Sequence, residues 1–189
     1  MIIGITAPSG VGKSSFVKAF FDAQRNAHFL VSTTTRVARE RDLQLHGESE
    51  YEHVSEVEFE KMVPQFLQPF GHYDARYGTL RSRFEEALRS SEPYLAALVI
   101  PAAERMFAEA QKINLQNNLQ LLYLDLPNEE ERLRRLGERG EENKTRFVPE
   151  LEQWRTQAQA SKLPYVFIEA TKPPQELVEE ALRQLRLGL

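Results

Sequence analysis

One short stretch, Ala7-Pro8-Ser9-Gly10-Val11-Gly12-Lys13-Ser14-Ser15, limits what this chain can fold into more than any other. Before it runs Ile2-Ile3-Gly4-Ile5-Thr6, apolar and rich in β-branched residues, as a buried parallel strand requires. After it, apolar residues at 16, 17, 20 and 21 mark one face of a helix. A glycine-bearing loop between a strand and a helix is the context in which such a string becomes a phosphate-binding loop. Gly10 and Gly12 let consecutive N–H groups turn inward, and the helix start adds unpaired N–H groups and the positive end of its dipole. On this reading Ser9, Gly10, Val11, Gly12, Lys13, Ser14 and Ser15 wrap a nucleoside triphosphate. Lys13 reaches the β- and γ-phosphates and the Ser14 hydroxyl takes Mg²⁺. Ala7 stands where the pattern's first glycine is expected.

Composition narrows the class. The 189 residues suffice for one domain with a sizeable core and a small insertion, and 41% apolar with 28% charged residues reads as a soluble globular chain. A net charge of -4 argues against a broad grip on nucleic acid. The chain has no cysteine, hence no disulfide or thiolate metal site, and its four histidines are not spaced as metal ligands. No apolar run has the length of a membrane span, and the N-terminus begins directly with a strand. The expectation is a cytoplasmic protein, monomer or homodimer, with no membrane or nucleic-acid partner.

The rest of the chain alternates strands and helices. A second strand over His28–Val31 leads to a polar segment, 33–42, with arginines at 36, 39 and 41. They lie one βαβ step from the phosphate loop, where such sheets collect ligands. Glu50–Val54 alternates like a strand, and Ser55 with Glu58 forms a capping-box pattern for a helix that Pro64 ends. Further strands at Phe66–Leu67 and Tyr73 and a helix to about residue 90 follow. Tyr94–Ile100, Leu119–Leu126 and Tyr165–Ile168 read as core strands. Pro101, Pro127-Asn128 and Pro174 each introduce a helix, and residues 146–160 follow a helical pattern. The helix 129–139 carries Arg132, Arg134, Arg135 and Arg139; it reads either as a solvated face or as a lid near the triphosphate. The predicted fold is a three-layer α/β sandwich with a five-stranded parallel sheet. Residues 1–32 and 91–189 form its core, with a lid at about 135–147, and 33–90 form a small strand-rich insertion.

These residues resemble the guanylate kinase family over nearly the whole chain. Pro8-Ser9-Gly10-Val11-Gly12-Lys13-Ser14 resembles its phosphate loop, and Val31-Ser32-Thr33-Thr34-Thr35-Arg36 with Arg39 resembles its signature after the second strand. Gly47 followed by Tyr51, Val54-Ser55 and Phe59, and then Tyr77-Gly78-Thr79, resemble its next two blocks. The resemblance implies a P-loop kinase that moves the γ-phosphoryl group of ATP, with Mg²⁺, onto a nucleoside monophosphate. It implies that Arg36, Arg39, Tyr51 and Tyr77 hold the acceptor phosphate, and that Ser32 and Thr79 lie near its base. Arg146 matches a lid arginine, with Arg139 or Arg135 as its partner. Lys13, Arg36, Arg39, Arg139 and Arg146 then neutralise charge on the transferred group.

Two departures bear on the acceptor. Counting back from Tyr77-Gly78-Thr79, the family's guanine-reading glutamate falls on Gln68, whose amide offers one acceptor and one donor edge. The segment Leu95–Ala102 lacks the family's acidic residues and glutamine–glycine pair, and Glu104 and Asp125 are the nearest carboxylates that could replace them. Three readings therefore stand: a guanylate-preferring or base-relaxed nucleoside monophosphate kinase, a same-fold kinase with another phosphorylated acceptor such as a modified deoxynucleotide or ribosyl phosphate, and a non-catalytic interaction module.

Overall fold

The computed structural model describes residues 1–40, 42–67, 69–72, 74–138 and 151–185. In chain order β1 (Ile2–Thr6) leads into α1 (Lys13–Ala23), then β2 (His28–Phe29), β3 (Ser32–Thr34), β4 (Gln44–Leu45), β5 (Glu48–Ser49) and β6 (Tyr51–His53). Next come α2 (Glu56–Met62), β7 (Phe70–His72), β8 (Ala75–Gly78) and α3 (Arg81–Arg89). The chain then alternates through β9 (Tyr94–Leu98), α4 (Ile100–Lys112), β10 (Leu119–Asp125), α5 (Glu129–Gly137), α6 (Leu151–Ala160), β11 (Tyr165–Glu169) and α7 (Pro174–Gln184).

Five strands make a sheet of order β11-β10-β1-β9-β2, and the β10–β11 and β2–β9 pairs are parallel. The five-stranded sheet expected from the sequence is there. Every residue of β1 is buried, which is why its sequence shows an unbroken apolar run instead of alternation. The chain divides into two compact units, one of Met1–Ile3, Asn26–Ala96 and Arg105–Leu119, the other of Gly4–Arg25, Ala97–Glu104 and Gln120–Leu189.

In the second unit α1 packs along α7, which buries Leu177, Val178, Ala181 and Leu182 as its apolar spacing predicts. Helix α6 sets Ala158 and Trp154 against Ile100, Tyr123 and Tyr165.

The first unit is built on a four-stranded sheet of order β6-β3-β8-β7, with β3 parallel to β6 and the other two pairs antiparallel. Its two faces are sorted by the period of two. On one face Glu52 accepts from Thr33 Oγ1 at 3.2 Å and from Arg83 Nη1 of α3 at 2.8 Å, and Arg76 pairs with Glu60 of α2. The capping box that begins α2 is present: Ser55 N donates to Glu58 Oε2 at 2.9 Å and Glu58 N to Ser55 Oγ at 3.3 Å. This face is the structural one. The opposite face carries Ser32, Thr34, Tyr51, His53, Tyr77 and Phe70, in register across all four strands.

Candidate functional site

The phosphate loop of the second unit has the backbone its glycines foretell. Gly10 and Gly12 lie at φ 91° and 116°, in the left-handed region, and Gly12 is the N-cap of α1 without any side-chain cap. The first N–H groups of α1 are therefore not answered by a capping side chain. Ser14 and Ser15 are exposed beside them, and Lys13 is half-buried. Val11 is buried and its amide donates to the Pro8 carbonyl at 3.4 Å, which closes the turn. Such a loop is a concave row of N–H donors at a helix start, a site for a polyanion.

Helix α5 lies against this loop and turns Arg132 and Arg135 toward it, while Arg134 is exposed and pairs with Glu131 and Glu138. Arg132 is 2% exposed; its Nε donates to Glu129 at 2.9 and 3.1 Å, its Nη2 to the same carboxylate, and its Nη1 to the Ser9 carbonyl at 3.5 Å. Burial pushes the Glu129 carboxyl up, but Arg132 and the Leu151 amide hold it below its usual range. Arg135 donates from Nη1 to the Val11 carbonyl at 2.9 Å and from Nε to Glu131 at 2.7 Å. A Cβ at Gly10 would meet Leu136 Cγ at 2.9 Å and Arg132 Cγ at 3.0 Å, so glycine is needed there for close approach as well as for φ. Arg134 fits the solvated-face alternative, and the burial of Arg132 is what the sequence did not show. Nothing in a run of arginines says which of them is buried.

In the first unit Ser32, Tyr51 and Tyr77, three of the predicted acceptor residues, share one sheet face, and Arg36 reaches over it. Arg36 lies over the Tyr51 ring, its Cζ 5.0 Å from the centroid, and Tyr51 meets Tyr77 edge-on at 6.1 Å across the small residues of β3. Ser32 Oγ is 3.5 Å from Thr79 Oγ1. The Thr34 hydroxyl accepts the Arg36 amide at 3.2 Å and so fixes where that side chain starts. Arg36 Nη2 donates to Asp42 Oδ1 at 2.7 Å, while Asp42 Oδ2 accepts the Arg39 amide at 2.8 Å. His53 donates from Nδ1 to the Arg36 carbonyl at 2.7 Å, with Nε2 3.3 Å from Asp42. Asp42 is thus the hub of the cluster, and the sequence reading gave it no role. The one signal was an acid closing an arginine run. Burial alone would raise its carboxyl pKa, yet Arg36 and the Arg39 amide hold it below the ordinary value. Burial, with Glu50 next, pushes the Tyr51 phenol above its ordinary value, so Tyr51 stays a neutral donor. A buttressed guanidinium beside two phenols is suited to a phosphate monoester.

Gln68, Arg139 and Arg146 lie outside the described residues. Of the two carboxylates weighed as replacements for missing acids, Asp125 is taken by Arg155 through contacts of 2.7 to 3.1 Å, and Glu104 is exposed.

Comparisons with known proteins show the family and the fold. The family model for guanylate kinase matches residues 1–185. A guanylate kinase from Polaromonas sp. is 32% identical over 188 residues, 96% of this chain and 82% of that protein. One from Mycoplasma genitalium is 32% identical over 155 residues, 80% of this chain and 61% of its own length, so the chain spans under two thirds of that relative. The crystal structure of guanylate kinase from Anaplasma phagocytophilum superposes with a TM-score of 0.64 at 17% identity, covering 98% of this chain and 84% of that one.

Proposed function

This chain belongs to the guanylate kinase family, and we propose that it transfers the γ-phosphoryl group of ATP to a nucleoside monophosphate, GMP foremost, in the cytoplasm. The observation that carries this reading is the buttressed guanidinium of Arg36 over Tyr51, beside Tyr77, on the face whose residues match the family's acceptor blocks. An interaction module has no use for a 2.7 Å Asp42–Arg36 pair aimed at an anion site, nor for an uncapped glycine loop.

The chemistry asks little covalent help from the protein. The Gly10–Ser15 amides and Lys13 hold the triphosphate of the donor, and Arg132 and Arg135 fix the loop by its Ser9 and Val11 carbonyls. Arg36, Arg39, Tyr51 and Tyr77 hold the acceptor phosphate, and Ser32 and Thr79 lie toward its base. The acceptor is already an anion, so no general base is required. Arg139 and Arg146 would complete the charge around the transferred group and exclude water. Among the described residues no cluster of three carboxylate or imidazole groups could hold a metal by itself. Mg²⁺ that is bound largely through nucleotide phosphates needs few protein oxygens, and the exposed Ser14 hydroxyl at the start of α1 fits that demand. When bound, Mg²⁺ neutralises the β- and γ-phosphate oxygens.

Coupled ADP release, measured across GMP, dGMP, AMP, CMP, UMP and ribose phosphates, tests the reading. Turnover of a purine monophosphate is the expected result. Turnover only of a ribose phosphate would establish another acceptor, and ATP binding without any turnover would leave an interaction module.

A further inference from the structure

His53, the last residue of β6, has oxygen on both sides of its ring. Nδ1 lies 2.7 Å from the Arg36 carbonyl and Nε2 lies 3.3 Å from Asp42 Oδ2. A neutral imidazole has one N–H and one lone pair, so it can answer only one of these two acceptors. With Nδ1 donating to the carbonyl, a neutral ring turns its Nε2 lone pair on the Asp42 carboxylate. The imidazolium form donates to both. Asp42 is only 11% exposed, so water does little to soften that choice.

Arg36 is pinned at three points, and His53 bears on two of them. Thr34 Oγ1 holds its amide at 3.2 Å, His53 its carbonyl, and Asp42 Oδ1 its guanidinium at 2.7 Å. Arg36 and Asp42 by themselves sum to no net charge, which draws an anion only weakly. An imidazolium on the second Asp42 oxygen makes the trio net cationic and leaves more of the guanidinium's charge to share with a phosphate. The loop sets Asp42 and Arg36 against the His53 ring: the carboxylate favours its proton and the guanidinium opposes it. Its own strand sets Tyr51 there, with ring centroids 6.0 Å apart, and burial keeps that phenol neutral. β3 brings the uncharged Thr34 abreast. We propose that His53 is a positioning residue for the acceptor phosphate, whose imidazolium form sets Arg36 and frees its charge, so that a phosphate monoester binds more tightly with the proton on the ring than off. This rests on the reading of the chain as a nucleoside monophosphate kinase.

Calorimetric binding of GMP and of ATP between about pH 6 and about pH 8.5, to the wild-type chain and to His53→Asn, tests it without requiring turnover. Asparagine can set an amide donor near the place of Nδ1 and has nothing to face Asp42. The GMP phosphate itself loses a proton near about pH 6, so the ratio of the two chains' affinities is read, in which that step cancels. The variant should bind GMP about 3- to 10-fold more weakly than the wild type at about pH 6 and within about twofold of it at about pH 8.5, with ATP alike in both chains throughout. A ratio that stays flat or grows with pH, or an equal loss for ATP, would overturn the proposal. By reciprocity GMP must hold both ring nitrogens of His53 protonated to higher pH than in the unliganded wild type, and ¹⁵N NMR of the ring reads this even if the variant does not fold. Protonation that GMP leaves unmoved would also overturn it. GMP binding that depends on His53 and pH in this way, with no phosphoryl transfer, would keep the inference and sink the kinase reading. Turnover of GMP with a flat ratio would do the reverse, and binding of no monophosphate would sink both.

Discussion

On the proposed reading the phosphate loop of the second unit and the aromatic face of the first both take phosphate, yet by opposite means. The loop is nearly all backbone: two left-handed glycines, a run of amides and a helix start, with Arg132 and Arg135 bracing it through carbonyl oxygens. The face is nearly all side chain: Arg36, Tyr51, Tyr77 and Phe70, supplied by three strands and a loop, with Asp42 as the brace of Arg36. Donors fixed in the backbone serve any polyphosphate alike. Donors carried on side chains can be exchanged one by one, so on the proposed reading selection among acceptors falls to them.

The largest effect should come from Lys13→Ala, the loop's one long cationic side chain. Turnover is expected to fall roughly 100- to 1,000-fold or more with the thermal midpoint little changed, and near-normal turnover would remove the loop from the chemistry. Asp42→Ala tests the other region. It leaves the 11%-exposed Arg36 without its carboxylate, so KM for the monophosphate should rise about tenfold or more while KM for ATP stays put. A rise in both would mean that the face does not act separately from the loop.

Glycine replacements sharpen the contrast. Gly10→Ala forces a Cβ to within 3.1 Å of the Arg132 carbonyl oxygen at φ +91° and should cost about 1–3 kcal/mol in chemical unfolding. Gly71→Ala, on β7 of the first unit, meets nothing within 4 Å and should change stability by less than about 0.5 kcal/mol. Equal costs would contradict the view that close approach and a left-handed φ hold Gly10 where Gly71 is free to change.

The smallest effect concerns pH. The His28 ring lies 2.5 Å from Glu48 and 3.1 Å from Glu92, and the Glu48 hydrogen bond leads the causes that raise its pKa above 6.5. A raised folded-state value means that its contribution is fully present below about pH 6.5 and is lost as pH climbs through the raised value. The stability gap between wild type and His28→Ala, under about 1 kcal/mol for so exposed a group, should therefore shrink between pH 6 and pH 9. Asp42 has the opposite sign: its carboxyl is held low, so its contribution persists above its ordinary 3.8 and fades only as pH falls through the lower folded value. A His28 gap that widened with pH would show that the imidazole is neutral in the fold.

Much of this was readable along the chain. The loop's glycines, the uninterrupted β1, the Ser55–Glu58 cap and the apolar face of α7 are all set by neighbours within a turn or two. Ser32, Arg36, Tyr51 and Tyr77 were picked out through a family likeness, and the structure puts Ser32, Tyr51 and Tyr77 on one sheet face of one unit with Arg36 over Tyr51. Asp42 and Arg132 were passed over. Each looks, in sequence, like one more charge in a charged stretch.

By itself the sequence determined the alternation of core strands and helices and the strand–glycine loop–helix start at Gly10–Ser15, because backbone conformation and amphipathic period depend on residues close in the chain. The strand expected at Phe66–Leu67, by contrast, is only an isolated bridge from Phe66 to Leu80, and the short β4–β5 pair went unforeseen. Tertiary structure alone decided which charges are buried and what they brace. Arg135 reaches a carbonyl 124 residues away, and the ring row of Tyr51, Tyr77 and Phe70 exists only once strand pairing brings its members abreast. Burial and pairing belong to the packed chain: a guanidinium becomes a brace only when folding has taken away its water and chosen its neighbours.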